Sequence, residues 1–125
     1  MVLKLIYLGL AGAAGALARY ALAGVVQRFT NGAFPWGTLV VNLLGCFLFG
    51  LIWALAEDRF LISSQTRIIL LVGFMGAFTT FSSFAFETTQ MLRDSEWLWA
   101  GFNIAFQNLI GILFLVVGMR VGRLF

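Results

Sequence analysis

Histidine is missing from the 125 residues altogether, and cysteine and proline occur once each. The first absence removes imidazole base catalysis, histidine-based pH switching and the commonest zinc ligand. The lone Cys46 has no internal disulfide partner, lies in an apolar run and reads as a small packing residue. Charge is scarce as well. Asp, Glu, Lys and Arg make up 10% of the chain, against about 25% in a soluble domain. The net charge of +3 is spread along the chain. No Lys/Arg cluster suggests a nucleic-acid surface, so nucleic acid is not an expected partner. No ATP motif, metal catalyst or redox-cofactor motif is visible, and enzyme activity is not expected.

What is present is hydrophobic: 62% of the residues. Lipid is the expected solvent for such a chain, and each span needs roughly 20 apolar residues. Four segments meet that length, at about residues 3–26, 37–56, 68–91 and 97–119. The expected fold is an all-α membrane protein of one four-helix domain, because helices satisfy every backbone group within the segment. The breaks carry punctuation. "RFTNGAFPW" holds Asn-Gly and the only proline, "EDRFLISSQTR" holds most of the loop charge, and "RDSE" is a tight turn. Trp36, Trp97 and Trp99 stand at segment ends, where indole suits the interface. The N-terminal stretch has the lysine, apolar run and Ala-x-Ala end of a signal peptide. Its apolar pattern continues through "RYALAGVV" and no soluble domain follows, so it is read as the first span. Four spans put Lys4, Arg59, Arg67, Arg120 and Arg123 on one side, and Arg28 and Arg93 on the other. Taken alone, that bias predicts both termini inside.

The polar residues within the spans carry the functional signal. Gly12, Gly15 and Arg19 share a face of the first helix. The glycines suit a packing seam, whereas a guanidinium inside a span calls for water, a partner or an anion. Thr38, Asn42 and Gly45 share a face of the second helix, which continues into Phe49 and Trp53. This stripe reads either as interhelical glue or as the lining of a path. In the third segment, "GFMGAFTTFSSF" packs Thr79, Thr80, Ser82 and Ser83 behind Gly73 and Gly76. Hydroxyls bond neighbouring carbonyls and open a helix. A helix broken in mid-membrane is tolerated only where the freed backbone lines a cavity or is buried in protein. Freed carbonyls are hard oxygen ligands for an alkali cation. Phe81 and Phe84, three apart, can turn both rings one way, with positive edges toward an anion; they also read as core residues. Glu87 is the only acid well inside a span. In the fourth helix Asn103, Gln107 and Gly111 share a face, with Asn108 about 100° away.

Together, "GAAGALAR" (Gly12 to Arg19), "WGTLVVNLLG" (Trp36 to Gly45) and "GFMGAFTTFSSFAFE" (Gly73 to Glu87) resemble the Fluc/CrcB family of fluoride ion channels, over essentially the whole chain. The resemblance implies a multi-pass protein of the cell (inner or plasma) membrane, assembled as an antiparallel, dual-topology homodimer with two pores. It also implies a central structural sodium ion held by the backbone carbonyls of Gly76 and Thr79 from both subunits. Phe81, Phe84 and Asn42 match positions that line the fluoride path, and Ser82 and Ser83 match the polar track beside it. Thr38 and Arg19 join the candidate path. Ser83 stands where threonine is more common in the family, and Ala77 where a second glycine is common. In the fourth helix an ungapped match gives Asn103 and Gln107, and a shift of one gives Asn108. The implied function is passive export of cytoplasmic fluoride, which reduces its toxicity. The alternatives are a proton-coupled exporter of organic cations, as in small multidrug transporters, and a non-transporting assembly subunit. The exporter wants an acid on the first helix, where this chain has Arg19; the subunit leaves the hydroxyl cluster without a use.

Overall fold

The computed structural model describes residues 1–125, and it is all helical. Helix α1 runs Val2–Arg28 and α2 runs Trp36–Trp53, prolonged by a π-helical turn, Ala54–Asp58. The third stretch is composite. A short α3 (Ser64–Ile68) widens into a π-helical segment (Ile69–Met75), tightens into α4 (Gly76–Phe78), breaks, and resumes as α5 (Phe81–Arg93). Helix α6 spans Trp97–Gly122. Four helical stretches, Val2–Arg28, Trp36–Asp58, Ser64–Arg93 and Trp97–Gly122, are long and apolar enough to cross a membrane.

These helices overrun the apolar stretches that locate them in the sequence. Ser63 caps α3 by accepting the Thr66 N–H at 3.2 Å, so helix begins among polar residues before the apolar run. At the same end of the bundle Asp58 pairs with Arg123 at 2.7 Å. Glu57 pairs with Arg67, whose guanidinium also lies 5.3 Å from the centre of the Trp53 ring. Paired charges let the helix ends extend past the greasy core. At the opposite end, Phe34 packs between Trp36 and Trp99 at centroid distances of 4.6 and 5.0 Å. Gln27 fixes that loop by donating to the Phe34 carbonyl and accepting the Gly37 N–H, both at 3.2 Å.

Small residues set the helix spacing, because lipid supplies no hydrophobic drive between helices. The most extensive contact joins α2 and α6. Gly50 sits on the backbone of Leu115, Gly118 sits on that of Phe47, and a Cβ at either would overlap main-chain atoms. Gly15 likewise lies against the Phe74 backbone, and a Cβ at Gly12 would meet the Gly73 carbonyl at ordinary contact distance, so the close approach of α1 to the third stretch is centred on Gly15. The core is thin: Val41, Leu71, Met75 and Phe78 form one buried cluster. The outer faces stay apolar, with Leu10, Leu17, Val72, Leu98, Leu109 and Ile112 all exposed.

Candidate functional site

The site is built on the interruption of the third stretch. Thr79 (φ −86°, ψ 156°) and Thr80 (φ −146°, ψ 110°) are extended, as suits two consecutive β-branched residues. Their polar groups complete the break. Thr79 directs both its N–H (3.1 Å) and its hydroxyl (3.0 Å) to the Met75 carbonyl. Thr80 Oγ1 caps α5 by accepting the Ser83 N–H at 3.2 Å, and its proton goes to Ser83 Oγ at 2.9 Å. The Thr80 N–H goes across to Asn42 Oδ1 at 2.8 Å. In a continuous helix the N–H groups of Thr80 and Ser83 would close on the carbonyls of Gly76 and Thr79, four residues back. Both are diverted, and both carbonyls lose their helical donors. The Ala77 carbonyl between them takes the Arg19 Nε–H at 3.0 Å, a cation at the negative end of a helical stretch.

A cavity of about 320 Å³ opens beside the break, lined by Asn42, Gly45, Cys46, Phe49, Thr79, Thr80, Phe81, Phe84, Gln107, Asn108 and Leu115. The rings of Phe81 and Phe84 lie 5.6 Å apart at 53° to one another. Asn42 ties the wall together. Its Nδ2 donates to the Thr80 carbonyl at 3.1 Å and to Gln107 Oε1 at 2.7 Å. Gln107 Nε2 donates to Asn103 Oδ1 at 3.2 Å, and Asn103 Nδ2 donates to Thr88 Oγ1 at 2.9 Å. The Thr88 hydroxyl donates to the Phe84 carbonyl at 2.8 Å.

A second cavity of about 350 Å³ is lined by Arg19, Tyr20, Ala23, Gly24, Thr38, Val41, Thr80 and Ser83. Thr80 borders both cavities, so they flank one break. The Thr38 hydroxyl donates to Glu87 Oε1 at 2.7 Å. Glu87 Oε2 is buried without a partner.

The structure therefore gathers most of the sequence candidates in two groups. Asn42, Phe81, Phe84, Gln107 and Asn108 line the first cavity, which takes Gln107 from the ungapped alignment of the fourth helix and Asn108 from the shifted one. Arg19, Thr38 and Ser83 line the second. Ser82 lines neither and stands 3.4 Å from Thr80 Oγ1. Asn103 is fully buried and meets the first cavity only through Gln107. Thr88 is the residue that sequence reasoning passed over. Its one available signal is its position four residues after Phe84, on the same face of α5.

The chain is similar to known proteins over nearly its whole length. A family model described as CrcB-like protein, Camphor Resistance (CrcB), matches residues 6–119. The chain is 57% identical over 121 residues to the fluoride-specific ion channel FluC of Nitrosococcus oceani, covering 97% of each sequence. It is 51% identical over 124 residues to that of Solidesulfovibrio magneticus, covering 99% of each. It is 50% identical over 121 residues to that of Desulforapulum autotrophicum, covering 97% of each.

Proposed function

The chain belongs to the CrcB family, and from that premise we propose that it is a fluoride-specific ion channel through which cytoplasmic fluoride leaves passively. It is a multi-pass membrane protein, and the cell (inner) membrane is its proposed site of action. A negative interior favours anion exit by about 2.3 kcal/mol per charge per 100 mV. Fluoride that enters as neutral acid and dissociates inside would leave by this route, which lowers its toxicity.

One observation carries the reading: aromatic rings, hydroxyls and amides line one cavity beside an interrupted helix. A fluoride ion sheds strongly bound water only where donors replace it, and the wall must also be weak enough to release it. Phe81 and Phe84 are the proposed weak partners, through their positive edges. The hydroxyls of Ser82 and Ser83 and the amide of Gln107 are the proposed polar track, and Asn42 completes the wall of the path by holding Gln107 and the break. Arg19 and Thr38 line the proposed approach from the second cavity, and Asn103 supports the track from behind. A proton-coupled exporter finds no acid on α1, and Glu87 already accepts from Thr38.

The proposed assembly is an antiparallel homodimer with a structural sodium ion at its centre. The residues fit that ion. The carbonyls of Gly76 and Thr79 are hard oxygen ligands whose helical donors are diverted to Asn42 and Thr80. One chain offers too few carbonyls to enclose a cation, and a twofold axis through the break doubles them. Gly76 is exposed, and a Cβ there would meet only the Leu71 carbonyl at 3.8 Å. Its own chain therefore does not require glycine, whereas a closely approaching second chain does. The carbonyls of Gly76 and Thr79 would hold such an ion, which would supply positive charge to offset their partial negative charge. Inserting one chain both ways offsets the inside bias of Lys4, Arg59, Arg67, Arg120 and Arg123 over Arg28 and Arg93.

Fluoride efflux from proteoliposomes, with valinomycin balancing charge, tests the function. A channel runs without a proton gradient. Efflux that requires such a gradient, or no efflux at all, refutes it.

A further inference from the structure

Four side chains from three helices form one continuous line of hydrogen bonds, and its direction is fixed at both ends. At one end the Thr80 N–H can only donate, and it donates to Asn42 Oδ1 at 2.8 Å. That contact decides which way the Asn42 amide faces. Its nitrogen then uses both protons, one on the Thr80 carbonyl at 3.1 Å and one on Gln107 Oε1 at 2.7 Å. At the other end the Thr88 hydroxyl commits its only proton to the Phe84 carbonyl at 2.8 Å, so its oxygen can only accept. It accepts from Asn103 Nδ2 at 2.9 Å. Asn103 Oδ1 is thereby left to receive Gln107 Nε2, at 3.2 Å.

The two directions meet at Gln107 and agree. Oε1 is turned to Asn42 and Nε2 to Asn103. An amide nitrogen has two protons, so Gln107 keeps one while Asn42 keeps none. Gln107 lines the first cavity with Phe81 and Phe84. Asn108, its neighbour, lines the same cavity and also keeps one proton after donating to the Ile104 carbonyl at 2.7 Å, but it stands outside the line that fixes the Gln107 amide.

We propose that Thr88 and Asn103 are positioning residues that lock the Gln107 amide with a free N–H toward the ion path, so that Gln107 is the amide that donates to passing fluoride and Asn42 is a clamp on the break. This rests on the fluoride-channel reading. An unlocked glutamine presents N–H or C=O with nearly the same shape, and the carbonyl repels an anion. Holding one orientation therefore makes this part of the wall selective for sign. Asn103 and Thr88 are 0% and 6% exposed, so they act on the ion only through Gln107. The same line is anchored at Thr80 and at the Phe84 carbonyl, and it brackets the two rings.

Two substitutions at Thr88 separate this role from packing. Thr88→Val keeps the shape and removes the hydroxyl, so Asn103 loses its anchor and Gln107 is held from the Asn42 side alone. Thr88→Ser keeps the hydroxyl and removes a methyl group. The relay predicts that fluoride efflux falls roughly tenfold in Thr88→Val, the effect of one ordinary hydrogen bond, and returns to nearly the parent rate in Thr88→Ser. A packing role predicts the reverse order. In parallel, side-chain amide NMR of the full ¹⁵N-labelled chain in nanodiscs is followed as sodium fluoride replaces sodium chloride. The Gln107 Nε2–H resonance should move and the Asn42 pair should stay. Equal efflux from the two variants, Thr88→Val outperforming Thr88→Ser, or a fluoride shift at Asn42 without one at Gln107 overturns the relay while leaving the channel in place. A parent chain with no fluoride efflux overturns the channel reading, and the relay falls with it.

Discussion

Replacing Asn42 with aspartate changes one group and should stop the channel. In Asn42→Asp the oxygen that receives the Thr80 N–H at 2.8 Å can stay where it is. The second carboxylate oxygen then takes the place of Nδ2. It faces the Thr80 carbonyl and Gln107 Oε1, which the wild-type nitrogen reaches at 3.1 and 2.7 Å. Two donor contacts become oxygen–oxygen contacts that carry a negative charge. Leaving a part-buried acceptor without its donor costs about 1–3 kcal/mol, so the pair costs about 2–6 kcal/mol before the charge itself is counted. Gln107 can recover one contact by turning its amide over, but its oxygen then meets Asn103 Oδ1, which now receives Nε2 at 3.2 Å. At about 1.4 kcal/mol per factor of ten, even the low end corresponds to a roughly 30-fold fall in efflux. None of these contacts lies in the glycine-mediated packing of α2 on α6, so the fold and the proposed dimer should survive. The assay is fluoride efflux from proteoliposomes, paired with size-exclusion chromatography of the same preparation. Efflux within about threefold of the parent rate, from intact dimers, would refute the role assigned to Asn42.

Replacing Phe81 and Phe84 together by isoleucine keeps apolar bulk and removes the ring edges; fluoride flux should drop sharply while the yield of assembled protein holds, and unchanged flux would leave the rings without a part in conduction. Exchanging sodium for a large organic cation should weaken the dimer and its activity together, because a ligand that binds only the assembled state stabilises it by mass action. Stable, active protein without any alkali cation would count against the site at Gly76 and Thr79. Gly76→Val should block assembly while leaving each chain helical by circular dichroism, since a Cβ there meets only the Leu71 carbonyl at 3.8 Å within its own chain. Gly118→Ala should lower the thermal unfolding midpoint, because its methyl group would overlap the Phe47 backbone and such overpacking costs typically 1–3 kcal/mol.

Local chemistry made part of this molecule readable from its sequence. Each long apolar run became a helix, since a backbone in lipid has few other ways to satisfy itself. The interruption was legible because Thr79 and Thr80 bring two branched side chains and two hydroxyls to one point, with Ser82 and Ser83 just beyond. Two features were not legible. The widening over Ile69–Met75 has no compositional mark; its glycine, Gly73, packs against Ala11 and Leu8, so it reflects a neighbouring helix. The line from Asn42 through Gln107 and Asn103 to Thr88 depends on the rotation of α2, α5 and α6 about their axes. Periodicity gives the faces of each helix but not which faces meet. Periodicity therefore puts Asn103 on the face it shares with Gln107, while its burial and its bond to Thr88 emerge only in three dimensions.

Gly45 bears on how this break can vary among descendants of the sequence. A Cβ at that position would fall onto the Thr79 methyl group, so the second helix leaves a notch where the third stretch is interrupted. The carbonyl of residue 79 is available whatever its side chain, and the proposed ion site alone would let that side chain drift. The notch removes this freedom. Alanine at 45 collides with threonine at 79 but leaves room for serine, so Gly45→Ala should be harmful alone and largely restored by Thr79→Ser. Positions 45 and 79, far apart in the chain, are bound to change as a couple, and neighbouring lineages should show small-with-branched or larger-with-unbranched pairs rather than independent substitutions.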